Sequence, residues 1–398
     1  MNFEKKNNLY KIIMLVIISV LITFLVTAIG MSNYYEKTEI GIEKTLSNNN
    51  KLNLESKIKY IKEYLGKTYL GEFPEEYVLE EAAVKGYVEG LGDEYTEYLT
   101  KEEYEELMTN VTGNYVGIGV YMSQDRYENV VILLPIEGSP AEEAGLKTGD
   151  IITKVNGEEC TGMELSLVAS KVKGEEGTKV NLEIQRDNET FIIDVERRTV
   201  KINQIKSEVL EDNIGYIQIL SFDENCSKEF EEKLDELLQK NIKSLIVDVR
   251  DNGGGIVQEV TNIAELFIPK EKNIMIELGK DTEEQIVKTE EDAKIDSKIK
   301  VILLANGNSA SASEILVGAL KENEVASVIG TKTFGKGVMQ EIMPLATGGA
   351  LKVTIQEFRT PNGNVINKKG IEPDILIEND SKTEKDEQLQ KAIEECKK

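Results

Sequence analysis

The chain has 398 residues, of which 40% are hydrophobic, and a formal net charge of -25. That length suggests about two or three domains, and the apolar content favours folded cores over disorder. Because an acidic chain without clustered basic segments cannot displace counterions from a phosphate backbone, we expect no nucleic-acid binding.

The chain contains no histidine and only three cysteines. Since imidazole is the commonest transition-metal ligand and a frequent proton carrier, we expect no metal site, no cofactor and no histidine-dependent catalysis. Cys160, Cys226 and Cys396 fit no metal-binding spacing. We interpret them as structural or incidental thiols and expect no disulfide-stapled fold.

The first predicted element is an 18-residue apolar run from Ile12 to Ile29, interrupted only by hydroxyl side chains. A helix of that length can just span a bilayer, and it exceeds the usual ~7–15-residue core of a cleaved signal. We therefore expect a retained transmembrane anchor over residues 12–29, with a cleaved signal as the alternative. Lysines before the run place residues 1–11 in the cytoplasm and the rest of a single-pass cell-membrane protein outside it.

A polar tether over residues 30–50 and an N-terminal helical region over residues 51–110 are predicted next. Apolar residues recur at helical spacing through this region. Thr100 followed by Glu103 is a capping-box pattern, which predicts that another helix begins there.

Residues 113–198 alternate short strand patterns with glycine turns and contain one short helix that starts at Pro140. The strings from Gly138 to Leu146 and from Gly149 to Gly157 resemble those of PDZ domains, which bind extended peptides by adding a strand to a sheet edge. The resemblance implies a loop that presents backbone N–H groups to a C-terminal carboxylate; the alternative is a loop whose glycines only make a tight turn. That loop would comprise Tyr115, Val116, Gly117, Ile118, Gly119 and Val120.

From residue 201 to residue 380, strands and helices alternate, which predicts an α/β core with a mostly parallel sheet flanked by helices. Buried strands at Ser244–Val249 and Val301–Leu304 lead into a Gly-rich and a Ser-rich loop, and a third strand leads to the Lys336 loop. Because ligands bind beyond the carboxyl ends of such strands, we expect these loops to meet. Residues 381–398 are predicted to be a charged, amphipathic tail.

Ser311 lies where a buried strand gives way to a helix, which would expose its hydroxyl near a helix N-terminus. Without histidine that hydroxyl needs another base, and Lys336 is the candidate. Its pKa would have to fall from ~10.4 toward ~7–8, which desolvation can produce. Gln340, four residues later, would orient the amine.

Backbone N–H groups are expected to hold the oxyanion of a serine hydrolase. Gly254 is the first choice, with Gly253 close behind, and Ala312 directly after Ser311 is the other donor. The alternative for the glycine loop is phosphate binding, although it lacks the Gly-Lys-Ser/Thr ending of a P-loop. Ser313 is interpreted as a helix cap.

Several short strings along the chain occur together and in a fixed order. They are Gly90–Thr96, the PDZ strings, Gly215–Ile217, Asp248–Gly255, Ser309–Glu314, Phe334–Gln340, Thr360–Gly363 and Gly370–Asp374. From about Leu54 to Ile377 the chain thereby resembles the tail-specific, C-terminal processing proteases of the S41 serine peptidase family. One departure is Gly253, where relatives often carry proline.

The resemblance implies a ClpP/crotonase-like core with an inserted PDZ domain. It also implies a Ser311 nucleophile, a Lys336 base assisted by Gln340, and protein substrates whose C-terminal tails the PDZ domain captures. A homodimer is plausible on the same basis. Because the PDZ domain precedes the core, we hypothesise that it covers the site until a tail binds.

Two other function classes stay open. A catalytically inactive PDZ-type scaffold would bind tails without turnover, although no expected catalytic residue is missing. A Ser/Lys amidase or penicillin-recognising enzyme would need supporting motifs that the chain lacks.

Overall fold

A computed structural model describes residue 19 and residues 22–31, 53–112, 114–187, 189–201, 203–379 and 385–398. The chain divides after Leu79 into two units. In the first unit, helix α1 (Leu54–Thr68) begins after Asn53, whose side chain accepts a hydrogen bond from the Ser56 N–H. This bond satisfies one of the unpaired donors at the helix start. Helix α2 spans Glu76–Glu89.

The transmembrane helix predicted over residues 12–29 is not borne out. Within the part of the chain that the structure describes, no helix is long and apolar enough to cross a bilayer. Residues 22–31 are helical, and the remainder of the predicted span, apart from residue 19, lies outside the described residues. The same holds for the predicted cytoplasmic segment and for most of the predicted tether. The cellular location stays a prediction.

The N-terminal helical region also contributes a strand to the core. Helix α3 (Lys101–Thr112) starts after Thr100, whose N–H donates to Glu103 Oε2 at 2.9 Å while the Glu103 N–H donates to Thr100 Oγ1 at 3.3 Å. The predicted capping box is therefore confirmed. Before it, strand β1 (Glu97–Leu99) pairs antiparallel with strand β18 (Ala350–Arg359).

The PDZ segment forms its own antiparallel sheet with strand order β3-β4-β5-β7-β8, and β6 pairs with β5. Alternation along β7 places Val180, Leu182 and Ile184 in a core that also holds the free thiol of Cys160. Strands β2 and β9 pair with each other at the two ends of the segment. The elements are β2 (Asn114–Gly117), β3 (Val120–Gln124), β4 (Val130–Pro135), α4 (Pro140–Glu143), β5 (Ile151–Val155), β6 (Glu158–Glu159), α5 (Leu165–Val172), β7 (Lys179–Arg186), β8 (Glu189–Glu196) and β9 (Arg198–Lys201).

The expectation of a mostly parallel sheet is wrong for the core, which contains two sheets of different kinds. One has the order β10-β11-β12-β15-β16-β19; its β10-β11 pair is antiparallel and its other pairs are parallel. The other joins β1, β18, β13, β14 and β17 entirely by antiparallel pairs. The remaining strands are β10 (Ile205–Leu210), β11 (Ile214–Ile219), β12 (Ser244–Asp248), β13 (Asn273–Gly279), β14 (Gln285–Lys288), β15 (Lys300–Ala305), β16 (Ala326–Gly330), β17 (Val338–Pro344) and β19 (Ile375–Leu376).

Apolar clusters cover both faces of the sheet that contains the parallel strands. On one face, Val247 and Leu303 pack in the large core with helices α6 (Cys226–Gln239), α7 (Val257–Glu265) and α8 (Ala312–Glu322). On the other, Ile246 and Ile302 pack against Ala392 of helix α9 (Glu387–Cys396). The predicted charged tail therefore ends in a helix that closes the core.

Candidate active site

Ser311 directly precedes helix α8 and has a backbone conformation that residues other than glycine rarely adopt. Its φ of 56° and ψ of -114° lie outside the regions common to residues other than glycine. Such strain persists only where the surrounding contacts hold it, and it is concentrated at functional sites. Because strand β15 ends at Ala305, this turn places Ser311 beyond the carboxyl end of a parallel strand.

The serines two residues before and two residues after Ser311 make structural hydrogen bonds. Ser309 Oγ donates to the Val249 carbonyl at 2.7 Å, and Ser313 Oγ donates to the Asn252 carbonyl at 2.8 Å; both serines are fully buried. The interpretation of Ser313 as the helix cap is wrong, because Ser311 holds the N-cap position and Ser313 lies within the first turn. Ser311 is half-buried, so its hydroxyl is the one that a substrate can reach.

The glycine loop after β12 packs against Ser311. A Cβ added at Gly254 would lie 2.9 Å from Ser311 Cβ, and the φ of 111° at Gly254 also requires glycine. The Gly254 N–H, however, donates to Asn252 Oδ1 at 2.8 Å. Gly253 is exposed, and Ala312 is buried at the first position of α8. Of the two loop glycines, Gly253 is therefore the better placed to donate to a substrate.

The side chain of Glu314 joins the Ser311 turn to the Lys336 loop. Glu314 is fully buried, and its Oε2 accepts the backbone N–H of Ser311 at 3.0 Å and that of Lys336 at 2.8 Å. Its Oε1 accepts the Thr333 hydroxyl at 2.6 Å and the Gly335 N–H at 2.7 Å. A single carboxylate thus bridges the two loops that carry the predicted nucleophile and base.

The Lys336 amine is half-buried beneath an aromatic ring. Its Nζ lies 4.8 Å from the centre of the Tyr95 ring. Burial is the main cause that lowers the pKa of Lys336 below its ordinary value, and the positive charge of Lys352 lowers it further, whereas Glu97 and Glu314 act in the opposite direction. This environment favours the neutral amine that a general base needs.

Gln340 lies in strand β17 at a register shift between β17 and β18. Its Nε2 donates to Thr354 Oγ1 at 3.3 Å, and the Thr354 N–H donates to Thr96 Oγ1 at 3.0 Å. The expected hydrogen bond between Gln340 and Lys336 does not occur among the described residues. The structure therefore places Gln340 near the Lys336 loop but with a different partner.

The predicted PDZ loop is shorter than expected. Tyr115–Gly117 lie within β2 and pair with β9, so the turn itself is made by Ile118 and Gly119 before β3 starts at Val120. A Cβ added at Gly119 would lie 2.2 Å from Ser139 Cβ, and Ser139 Oγ donates to the Gly119 carbonyl at 3.0 Å. Among the described strands, β3 stands at the end of its sheet next to β4, so the turn leads into an edge strand.

Comparisons with known proteins agree with these features. The profile of Peptidase family S41 matches residues 213–377, and a PDZ domain profile matches residues 131–186. A "Probable CtpA-like serine protease" of Staphylococcus aureus is 36% identical over 371 residues, covering 93% of this chain and 73% of that protein. The chain belongs to peptidase family S41.

This S41 chain is accordingly a serine-type peptidase with a PDZ domain, which confirms the resemblance to the C-terminal processing proteases of the family. A related protein of Staphylococcus haemolyticus is 36% identical over 301 residues, covering 75% of this chain and 60% of that protein. A solved S41 protease from Bacteroides fragilis shares the fold with a TM-score of 0.51 at 17% identity, over 78% of this chain and 86% of that one. The photosystem II D1 C-terminal processing protease aligns with a TM-score of 0.49 at 27% identity, over 80% and 86%.

Sequence reasoning on this S41 chain missed residues that hold the site together. In the sequence Glu314 is only the last residue of the string Ser309–Glu314, and the signal that could have found it is a glutamate three residues after the N-cap serine. Tyr95 and Thr96 stood in a family string to which no role was given. In the described part of the chain, no cluster of acidic or sulfur side chains could hold a metal ion.

Proposed function

We propose that this peptidase uses Ser311 as its nucleophile and Lys336 as its general base to cleave proteins that are recognised by their C-terminal tails. The observation that carries the proposal is the Glu314 carboxylate, one oxygen of which accepts the N–H groups of both residues. The half-buried amine with its lowered pKa supports the role of Lys336. Gln340 is proposed to assist through the Thr354 contact rather than by touching the amine.

The proposed reaction has two steps, acylation of Ser311 and hydrolysis of the acyl-enzyme. Ser311 Oγ bonds to the scissile carbonyl carbon while its proton passes to Lys336 Nζ, and the N–H groups of Gly253 and Ala312 stabilise the oxyanion. The C–N bond then breaks as Lys336 returns the proton to the leaving amine. In the second step water attacks the acyl ester, Lys336 takes a proton from that water, and Ser311 regains one as the carboxylic acid leaves.

Tail recognition is assigned to the edge strand β3 of the PDZ domain. Strand β3 lies at the edge of its sheet, and an extended peptide can add to an edge strand. The tight turn at Gly119, next to Ser139, would then receive the terminal carboxylate. A homodimer remains a proposal that follows from the family resemblance alone.

The proposal predicts that Ser311→Ala abolishes cleavage of an unstructured protein with an apolar C-terminal tail. We expect kcat to fall by about 10⁴-fold or more, because removal of a nucleophile leaves only binding and oxyanion stabilisation. Products are followed by mass spectrometry, and Ser327→Ala, at an exposed strand position, serves as the matched control. Retained cleavage by Ser311→Ala together with unchanged labelling by a fluorophosphonate would refute the assignment.

A further inference from the structure

The segment from Gly90 to Thr96 matches a family string but has no role in the proposed reaction. The structure brings it to the site through strand β1, which pairs with β18 from Glu97↔Lys352 to Leu99↔Ala350. Just before this ladder, Thr96 Oγ1 accepts the Thr354 N–H at 3.0 Å. Tyr95 is therefore held next to the sheet that contains Gln340, whose strand β17 begins two residues after Lys336.

The Tyr95 ring lies against the amine of Lys336. The distance of 4.8 Å from Nζ to the ring centre is within the range of cation–π contacts. An aromatic ring at that distance has two effects: it excludes water from the amine, and its face attracts an ammonium ion. The first lowers the pKa of the amine and the second raises it; because burial is the largest influence on the pKa of Lys336, the first outweighs the second.

Three charged side chains also influence the pKa of the Lys336 amine. Glu97 on β1 and Lys352 on β18 form an ion pair at 2.8 Å, and they act on the pKa of Lys336 in opposite directions. Glu314 on α8 favours the ammonium form. Burial is the largest influence on the pKa of this amine, and the Tyr95 ring lies against the amine.

We propose that Tyr95 is a positioning residue that covers the Lys336 amine, excludes water from it and holds it beside Ser311. The inference rests on the proposed Ser311/Lys336 function and adds a residue from outside the α/β core. It predicts that the segment just before β1 is required for the reactivity of the base itself.

The test measures how fast a fluorophosphonate labels Ser311 as a function of pH. In labelling, the Oγ–P bond forms, fluoride leaves, and the hydroxyl proton passes to Lys336, so the acidic limb of the profile, measured with no tail peptide present, reports the deprotonation of Lys336. Tyr95→Ala admits water, which moves that limb to higher pH. We expect labelling at pH 7 to fall about tenfold, which corresponds to about one pKa unit. Tyr95→Phe keeps the ring and should retain the wild-type limb.

Matched variants separate the possible failures. Tyr87→Ala, at an exposed position of helix α2, controls for loss of a tyrosine from the same region. If Tyr95→Ala unfolds at a much lower temperature than Tyr87→Ala, Tyr95→Leu replaces it and should shift the limb in the same direction by less. If the acidic limb of the labelling profile does not move in the folded variant, the inference is wrong. If Lys336→Ala labels at the wild-type rate, the proposed base is wrong, whatever Tyr95 does.

Discussion

At the scale of single residues, the Glu314 carboxylate accepts four hydrogen bonds, two on each oxygen. The side chain is fully buried, so water cannot replace a lost partner. The donors come from Ser311 and from the loop Thr333–Lys336. The strained turn at Ser311 and the position of the Lys336 backbone therefore depend on the same group.

We expect Glu314→Gln to lower both stability and reactivity. A glutamine has one oxygen and one NH₂ group. In one orientation the NH₂ group faces the N–H groups of Ser311 and Lys336; in the other it faces the Gly335 N–H and the Thr333 hydroxyl, which can rotate to accept, so at least one donor faces another donor. The free energy of unfolding should fall by about 2–4 kcal/mol, because buried donors lose their acceptor. Urea unfolding measures the stability, and fluorophosphonate labelling at equal folded fraction measures the reactivity.

Glu322→Gln is the control, because Glu322 ends the same helix and its bonds to Asn362 and Asn364 are exposed. We expect it to lower the free energy of unfolding by at most about 1 kcal/mol, because water can replace the partners in these exposed hydrogen bonds. Equal effects of the two substitutions, or full labelling by Glu314→Gln, would contradict the bridging role.

At the scale of elements, an ion pair connects the start of helix α9 to the residue that precedes the glycine loop. Arg250 follows strand β12 and directly precedes that loop, and it donates to both Asp248 and Asp386. Asp386 also caps α9 by accepting the Leu389 N–H at 3.0 Å. A helix near the end of the chain thereby fixes a residue only a few positions before Gly253.

Asp386→Asn removes the charge but can keep the cap, so it isolates the ion pair with Arg250. Burial raises the pKa of Asp386, but the Arg250 guanidinium and the Leu389 N–H together bring it below its ordinary value, so the folded state holds the ionised carboxylate more strongly than the unfolded chain does. This contribution is present above the unfolded pKa of about 4 and is lost as the pH falls through the lower folded pKa. Because the Asp386 side chain is 37% exposed, solvent screens the pair, and we expect the free energy of unfolding of the wild type to exceed that of the variant by about 1 kcal/mol at pH 7.

Unfolding free energies of both proteins, measured by urea titration between pH 3 and pH 7, test this dependence. The difference should shrink toward the acid end. Glu394→Gln, on the same helix, is the charge-matched control. A difference that stays constant with pH would mean that the substitution at position 386 acts through packing and not through the lost charge.

The sequence predicted the site better than the sheets around it. The strings that contain Ser311 and Lys336 are local, and each follows a buried strand whose apolar run is continuous. The antiparallel sheet escaped prediction because its strands are half-exposed, as along β18, and because β1 pairs with β18 across about 250 intervening residues. The Arg250–Asp386 pair is 136 residues apart, and no local pattern relates two such charges.

At the scale of the whole molecule, the PDZ segment is an insertion whose two ends meet. Strands β2 and β9 pair from Asn114↔Lys201 to Gly117↔Arg198, so residues 118–197 begin and end at one antiparallel ladder. A two-residue Asn-Gly turn can close such a ladder. Replacing residues 118–197 with Asn-Gly therefore removes the PDZ domain while keeping both connections to the core.

If the PDZ domain both captures tails and covers the site, the shortened chain should cleave tailed and tailless substrates at the same rate. Full-length protein should label faster with a fluorophosphonate when a tail peptide is added, and the shortened chain should label at that faster rate without peptide. The same peptide with an amidated C-terminus is the control, because it lacks the carboxylate that the Gly119 turn would hold. If the shortened chain still cleaves tailed substrates faster than tailless ones, tail recognition lies outside the PDZ domain. If the labelling rate of the full-length protein does not change when the peptide is added, the PDZ domain recruits substrates but does not cover the site.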